Sequence, residues 1–254
     1  MTLDMSQAGV ARLALIVILG VLTIWSLRRY PIPWAELGRR LPRCLLGLAC
    51  FGLGIALFIQ SDLGNPPWDI LHTGLAKRAN LPVGLIVNLV GVAVLVLWIP
   101  LRERVGLGTV LNTLEIGLAV DLFLRFLPHP TTLWFRWLFA IAGLLVIALG
   151  SGFYIGSGLG AGPRDGIMLG LRRFGLSVRM ARTLIETVTM GVGYLLGGKI
   201  GLGTALFMLG IGPLVQIALK HLSLPPLARS GAQTDLAAEE LDRSENWPVN
   251  APAS

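Results

Sequence analysis

Residues 57–69 read LFIQSDLGNPPWD, in which an apolar run reaches Ser61, breaks at Gly64 and two prolines, and then meets the carboxylate of Asp69. Glycine and proline interrupt regular structure, and proline is favoured at the first position of a new helix because no N–H partner is needed there. The stretch therefore predicts one helix that ends near Ser61 and a second that begins near Pro67, with Asp69 in its first turn.

The composition indicates that lipid is the main solvent of this chain. Of its 254 residues, 54% are hydrophobic and 14% are charged, and the mean hydropathy is +0.72. The net charge of +7 comes from basic residues in short segments between apolar runs, which is typical of membrane topology rather than of a nucleic-acid surface. We therefore predict an all-α polytopic membrane protein whose partner is the lipid bilayer, without a nucleic-acid partner.

Seven segments approach the roughly 20 apolar residues that cross a bilayer. The first is interpreted as a retained helix with its N-terminus outside, because it lacks a basic leader and a small-residue cleavage site. The predicted transmembrane helices cover residues 11–28, 44–61, 82–100, 107–127, 134–157, 179–198 and 202–221.

Two further segments, 67–79 and 163–174, open with proline and end near a basic pair, and have too few uninterrupted apolar residues to cross. We predict short broken or re-entrant helices that lie at the membrane interface or enter the membrane and return. After Ser223 the chain becomes rich in Pro, Ala and Ser and carries five acids between Asp235 and Glu245, which predicts a disordered acidic tail.

The opening motif occurs twice, which indicates an internal duplication. Moving the chain by 96 positions superposes seven residues of the first motif on seven identical residues; moving it by 95 superposes two GLGT segments, residues 106–109 and 201–204. Each Gly-Leu-Gly-Thr segment is expected to form a tight loop or the entry of a helix. The residues that match at 96 are Ser61, Leu63, Gly64, Pro67, Asp69, Gly74 and Leu75 with Ser157, Leu159, Gly160, Pro163, Asp165, Gly170 and Leu171.

The duplication predicts four parts of the chain and an orientation for its halves. The parts are an extra N-terminal helix with a basic linker (1–43), a first repeat (44–130), a second repeat (131–222) and the tail (223–254). Three spans and one re-entrant helix per repeat would invert the second repeat relative to the first and leave the C-terminus cytoplasmic. If both short helices crossed, the repeats would be parallel with nearly as strong a charge bias, so this alternative stays open, although segment length favours inversion.

The paired motifs SDLGNPPWD and SGLGAGPRD, the two GLGT segments and the run GIGPLVQ at 210–216 carry a family resemblance. Over roughly residues 40–222 the chain resembles the YczE/YyaS/YitT family of bacterial integral membrane proteins. The resemblance implies a multi-pass protein of the bacterial plasma membrane, and it implies no established substrate or reaction.

Asp69 and Asp165 each follow a proline by two positions, in the first turn of a predicted short helix. A carboxylate there meets free backbone N–H groups and the positive end of the helix dipole, so each acid has a structural role as a helix start. The alternative is a substrate or ion site, because glycine-rich breaks and half-helix N-termini at matching places in two repeats form such sites in transporters. Arg164, beside Asp165, either attracts an anion or serves as a topology charge.

Glu115 is the best candidate for a functional acid inside a span, with Asn112 three residues before it on nearly the same face. A charge near the bilayer centre is costly, so Glu115 is either a protonated packing residue or a proton or cation relay. The spacings Asp121–Arg125 and Arg182–Glu186 predict simple helical ion pairs.

We interpret the protein as a small-solute or ion transporter with a site at the repeat interface. The alternative is a non-transporting membrane factor that supports a partner complex. The sequence has no motif typical of an enzyme, a metal site or a cofactor site, so neither catalysis nor a cofactor is expected, and a homo-oligomer is left open. The candidate substrate-binding residues are Ser61, Gly64, Pro67, Asp69, Asn112, Glu115, Ser157, Gly160, Pro163, Arg164 and Asp165.

Overall fold

The computed structural model describes residues 5–29, 32–101, 103, 105–171 and 174–225. Its described part is a helical bundle, consistent with the predicted all-α polytopic class. The predicted tail lies outside the described residues from position 226 onward. The helices are α1 (Met5–Arg29), α2 (Trp34–Ser61), α3 (Pro67–Ala79), α4 (Val83–Leu101), α5 (Leu107–Phe126), α6 (Leu133–Gly156), α7 (Pro163–Leu171), α8 (Val178–Leu195) and α9 (Leu202–Leu222).

Six of these helices are long and apolar enough to cross a membrane: α1, α2, α4, α5, α6 and α9. They correspond to six of the seven predicted spans. The seventh, 179–198, forms α8, which carries Arg179, Arg182 and Glu186 and is not among the six. Its crossing stays a prediction.

The two segments that were predicted to be short form α3 and α7, which begin at Pro67 and Pro163. They contain 13 and 9 residues, or about 20 Å and 14 Å of helix, less than the roughly 30 Å of a bilayer core. Both pack inside the bundle, α3 mainly on α8 and α7 mainly on α4. The short helices therefore reach across the molecule toward the half of the chain to which they do not belong.

The centre of the bundle is the crossing of α2 and α6. Gly47 lies against Gly150, and Gly54 lies against Gly143, so residue numbers rise along one helix as they fall along the other. The two helices are therefore antiparallel. A Cβ atom at Gly47 would lie 2.7 Å from the Gly150 carbonyl oxygen, which shows that only glycine permits this approach.

The remaining helices surround this crossing. α5 packs on α2 and α9 packs on α6, while α1 packs on α5 and α4. Phe58 and Phe207 meet edge to face with ring centroids 5.6 Å apart in the apolar core between α2, α6 and α9. Asp121 was predicted to pair with Arg125, but its carboxylate bonds to Arg12 of α1 and accepts from the Gly84 amide at 2.7 Å. The predicted Arg182–Glu186 pair is present at 2.9 Å.

Candidate functional site

Two loops follow the central helices: the first break loop, residues 62–66, and the second break loop, residues 158–162. Each is introduced by a buried serine that ends its helix in the same way. The Ser61 hydroxyl donates to the Phe58 carbonyl at 2.7 Å, and the Ser157 hydroxyl donates to the Tyr154 carbonyl at 2.7 Å. Because α2 and α6 are antiparallel and both loops follow a C-terminus, the two loops lie at opposite ends of the crossing.

Each break loop is held by the Gly-Leu-Gly-Thr segment of the other half of the chain. The Gly203 amide donates to the Leu63 carbonyl and the Gly108 amide donates to the Leu159 carbonyl, both at 2.8 Å. We call residues 106–109 and 201–204 the clamp segments. Their role as helix entries, expected from the sequence, is therefore incomplete, because they also bind the break loops.

The clamp threonines repeat this exchange. Thr204 Oγ1 donates to the Asn65 carbonyl at 2.8 Å, and Thr109 Oγ1 donates to the Ala161 carbonyl at 2.7 Å. These bonds satisfy buried loop carbonyls that lipid could not satisfy.

Gly64 and Gly160 are needed at the centre of these contacts. Their φ angles are +108° and +146°, in the region that favours glycine. A Cβ atom at Gly64 would lie 2.4 Å from the Gly201 amide nitrogen, so the contact with the clamp segment leaves no room for a side chain at Gly64.

Two arginines complete the loop supports. Arg40 Nη1 donates to the Ser157 carbonyl and Arg136 Nε donates to the Ser61 carbonyl, each at 2.8 Å. These arginines are 96 positions apart, so the offset that relates the motifs also relates them. That offset could have identified the pair, which reasoning from the motifs alone missed.

The end of the first break loop also carries an exposed ion-pair network. The Asp62 carboxylate lies 2.5 Å from Lys199 Nζ and 2.5 Å from Arg136 Nη2. The hydrogen bond from Lys199, helped by the positive charges of Lys199 and Arg136, lowers the pKa of Asp62 below its ordinary value.

The acids at the starts of the short helices have different partners. Asp69 is 1% exposed, and its Oδ1 lies 2.9 Å from His72 Nδ1. Asp165 Oδ2 accepts from the Gly162 amide at 3.3 Å. Both acids lie in the first turn, as predicted, with Asp165 bonded to the backbone and Asp69 bonded to a histidine.

Arg164 connects the two halves. Its guanidinium carbon lies 5.4 Å from the centre of the Trp68 ring and 5.7 Å from that of Phe51, an α2 residue near the crossing. Trp68 and Arg164 are equivalent positions at the offset of 96. The second residues of α3 and α7 therefore contact one another.

A cavity of about 20 Å³, room for about one water-sized particle, lies beside this contact. Its polar wall comes from the starts of α3 and α7 and from one face of α5, and α4 supplies most of the apolar wall. The lining residues are Trp68, His72, Val87, Val90, Gly91, Val94, Asn112, Thr113, Ile116, Pro163 and Arg164.

Three of the candidate residues line this cavity, namely Asn112, Pro163 and Arg164. Trp68, His72 and Thr113 also line it and were not predicted from the sequence, although Trp68 is equivalent to Arg164 at the offset of 96. The other candidates do not line the cavity. Pro67, Asp69 and Asp165 belong to the first turns behind it, and Ser61, Gly64, Ser157 and Gly160 build the loop supports.

Glu115 lies one helical turn beyond Asn112. Its Oε2 is buried and, among the described residues, has no hydrogen-bond partner. The buried hydroxyl of Tyr154 lies near the Asn112 amide, since a Cβ atom at Gly162 would lie 3.2 Å from that hydroxyl and 3.4 Å from Asn112 Nδ2. Glu115, three residues after Asn112 in α5, and Tyr154 thus place polar atoms close to this cavity-lining residue.

Comparisons with known proteins agree with the family predicted from the paired motifs. A model of a family of unknown function, DUF6198, matches residues 38–220. An uncharacterized protein of Haemophilus influenzae is 38% identical over 76% of this chain and 89% of its own. No solved structure matches the chain.

Two relatives come from Bacillus subtilis. The uncharacterized membrane protein YczE is 32% identical over 68% of this chain and 82% of its own length. The uncharacterized protein YyaS is 30% identical over 63% of this chain and 83% of its own length. Together with the six apolar helices, the relation to YczE indicates a membrane protein. Because the family model matches residues 38–220, the chain belongs to the DUF6198 family, and it is related to YczE and YyaS.

Proposed function

We propose that this protein is a transporter for a small solute or ion, with its site at the interface of two inverted repeats. The observation that carries the proposal is the meeting of Trp68 and Arg164, because it joins the starts of two broken helices beside one cavity. Broken helices of this kind bind solutes in transporters built from inverted repeats.

The reciprocal contacts support the inverted arrangement. The clamp segment 201–204 binds the first break loop, and the clamp segment 106–109 binds the second, through bonds that correspond one to one. The antiparallel crossing of α2 and α6 favours a two-fold relation with its axis in the membrane plane. Such a relation would expose the two break loops to opposite sides.

Within this proposal, Glu115 carries a proton or cation coupled to transport. Its Oε2 lacks a partner among the residues that the structure describes, and leaving a buried carboxylate charge unpaired in a span is costly. A proton or cation bound to the Glu115 carboxylate would neutralise this charge, and its release would be coupled to movement of the solute. The proposal includes no catalytic step and no cofactor, with the protein in the bacterial plasma membrane and its C-terminus in the cytoplasm.

Vesicles that contain the purified full chain test the proposal through uptake of a mixed panel of metabolites and inorganic ions. We expect at least one solute to enter faster than into protein-free vesicles, and Glu115→Gln to abolish that uptake per folded protein. Asp121→Asn is the matched control, since Asp121 lies in the same helix but is held by Arg12 and the Gly84 amide.

Absence of uptake for every solute, with correctly folded protein in the vesicles, would contradict a transporter. That outcome would favour the alternative of a non-transporting membrane factor that supports a partner complex.

A further inference from the structure

We propose that the cavity binds a small monovalent anion of about the size of chloride, held by the Arg164 guanidinium and the Trp68 indole N–H. This inference rests on the proposed function and names the chemical class of its solute. It is carried by a hydrogen-bond donor that lacks an acceptor, at a place where two helix N-termini meet.

The unsatisfied donor is the indole of Trp68. Trp68 is 7% exposed and lines the cavity, and within the described part of the chain its Nε1 has no hydrogen-bond partner. An indole N–H can only donate, so its partner must be an acceptor. The contrast with Trp98 is informative, because the buried indole of Trp98 donates to the Pro163 carbonyl at 2.9 Å.

Arg164 adds positive charge on the same wall. Its stacking over Trp68 and Phe51 uses the face of the guanidinium, whereas its N–H donors lie in the plane of the group. An anion beside Trp68 can therefore meet both the indole N–H and the edge of Arg164. The guanidinium of Arg164 is planar and always positively charged, so it binds a negatively charged acceptor well.

The helix starts favour the same sign. Trp68, Pro163 and Arg164 are first- or second-position residues of α3 and α7, so the N-termini of both helices, the positive ends of their dipoles, lie beside the cavity. No acid lines the cavity: His72 engages Asp69, the Gly162 amide engages Asp165, and Glu115 lies one helical turn beyond the lining residue Asn112.

The remaining wall limits the size of the ligand. Val87, Val94 and Ile116 make part of the lining apolar, and the volume of about 20 Å³ admits about one water-sized particle. A chloride-sized ion is of the scale of this space, whereas a sugar acid or a nucleotide is much larger.

Equilibrium binding of radiolabelled chloride to the purified full chain in detergent tests this site. We expect saturable binding that bromide displaces and that gluconate, at equal ionic strength, does not. Trp68→Phe keeps the ring but removes the donor, and should weaken binding about tenfold. Trp34→Phe is the matched control, because Trp34 is 86% exposed and should bind chloride as the natural chain does.

Arg164→Gln should abolish chloride binding, and Arg164→Lys should retain part of it. If Arg164→Gln does not fold, the comparison of Trp68→Phe with Trp34→Phe decides the question. Equal chloride affinity in those two variants, or no saturable binding by the natural chain, would overturn the anion site.

The same vesicles separate this inference from the proposed function. Chloride binding without uptake of any solute would support the anion site and contradict transport. Uptake of some solute without chloride binding would support transport and contradict the anion site.

Discussion

Arg40 and Arg136 direct their hydrogen bonds to the end of a helix in the other half of the chain. Arg40 is 3% exposed and bonds to the Ser157 carbonyl, the Pro225 carbonyl and Glu36. Arg136 bonds to Ser61 and Asp62 at the opposite end of the bundle. At both ends, one guanidinium closes a helix terminus whose last carbonyls have no partner within the helix.

Replacing Arg40 by Gln should destabilise the protein by about 1–3 kcal/mol, because the buried Ser157 carbonyl loses its donor. Thermal unfolding of the purified protein in detergent measures the effect. Arg39→Gln is the control, since Arg39 is an exposed neighbour of the same type. An equal melting temperature for both variants would show that the Arg40 bonds do not support the loop.

From the ion pairs of Asp62 we expect a contribution to the stability of the protein that depends on pH. Lys199 and Arg136 hold its pKa below the ordinary value of 3.8, so its stabilising effect is present above that value and is lost as the pH falls through the lowered one. Asp62→Asn should therefore lower the melting temperature near neutral pH, and the difference from the natural chain should shrink in acid. A difference that stays constant or grows below pH 3.8 would contradict the ion-pair network.

At the scale of elements, the crossing of α2 and α6 depends on a glycine contact with no space for a side chain. A Cβ atom at Gly47 would lie 2.4 Å from the Tyr154 amide nitrogen, and backbone atoms cannot move aside as a flexible side chain can. The close approach then lets the two helices gain packing along their length in lipid, where no hydrophobic effect drives association.

Gly47→Ala should therefore separate α2 from α6 and cost about 1–3 kcal/mol. Gly38→Ala in the same helix is the matched control, because a Cβ atom at Gly38 would meet nothing within 4 Å. We expect Gly38→Ala to leave the melting temperature unchanged or to raise it slightly, as alanine favours helices more than glycine does. A melting temperature for Gly47→Ala equal to that of Gly38→Ala would argue against this crossing.

Some helix boundaries were predictable because they depend on local features, whereas α2 begins at Trp34 rather than at 44, since the basic stretch that was predicted to be a linker is helical. Pro67 and Pro163 marked the starts of α3 and α7 to the residue, and apolar length identified α2, α4, α5, α6 and α9. The clamp segments could not be assigned in the same way. Their partners lie 139 positions away for Asn65–Thr204 and 52 for Thr109–Ala161, and no local pattern states which loop a glycine-rich segment will meet.

At the scale of the whole molecule, the two halves support each other rather than themselves. Each break loop is held by a clamp segment and an arginine from the other half, and each short helix packs across the bundle. The packing of both short helices across the bundle also brings Trp68 and Arg164 together beside the cavity. The cavity wall was therefore only partly predictable from the sequence, which identified Asn112, Pro163 and Arg164 but not the residues of α4.

The two ends of α2 serve to locate positions on opposite sides of the bundle. Its 28 residues extend for about 42 Å, enough to cross a bilayer. Gln60 donates to the Leu127 carbonyl at 3.0 Å at one end, and Arg40 donates to the Pro225 carbonyl at 2.6 Å at the other. Thr131, in the loop that links α5 to α6, and Pro225 therefore mark opposite ends of α2.

Labelling of single cysteines at Thr131 and Pro225 tests the inverted arrangement most directly. A chain with Cys44 and Cys50 replaced by Ala provides the background, and an impermeant thiol reagent is applied to one side of the membrane and then to the other. The inverted arrangement predicts that Thr131→Cys and Pro225→Cys react from opposite sides. Parallel repeats would put both positions on one side, so reaction of both cysteines from the same side would contradict the account.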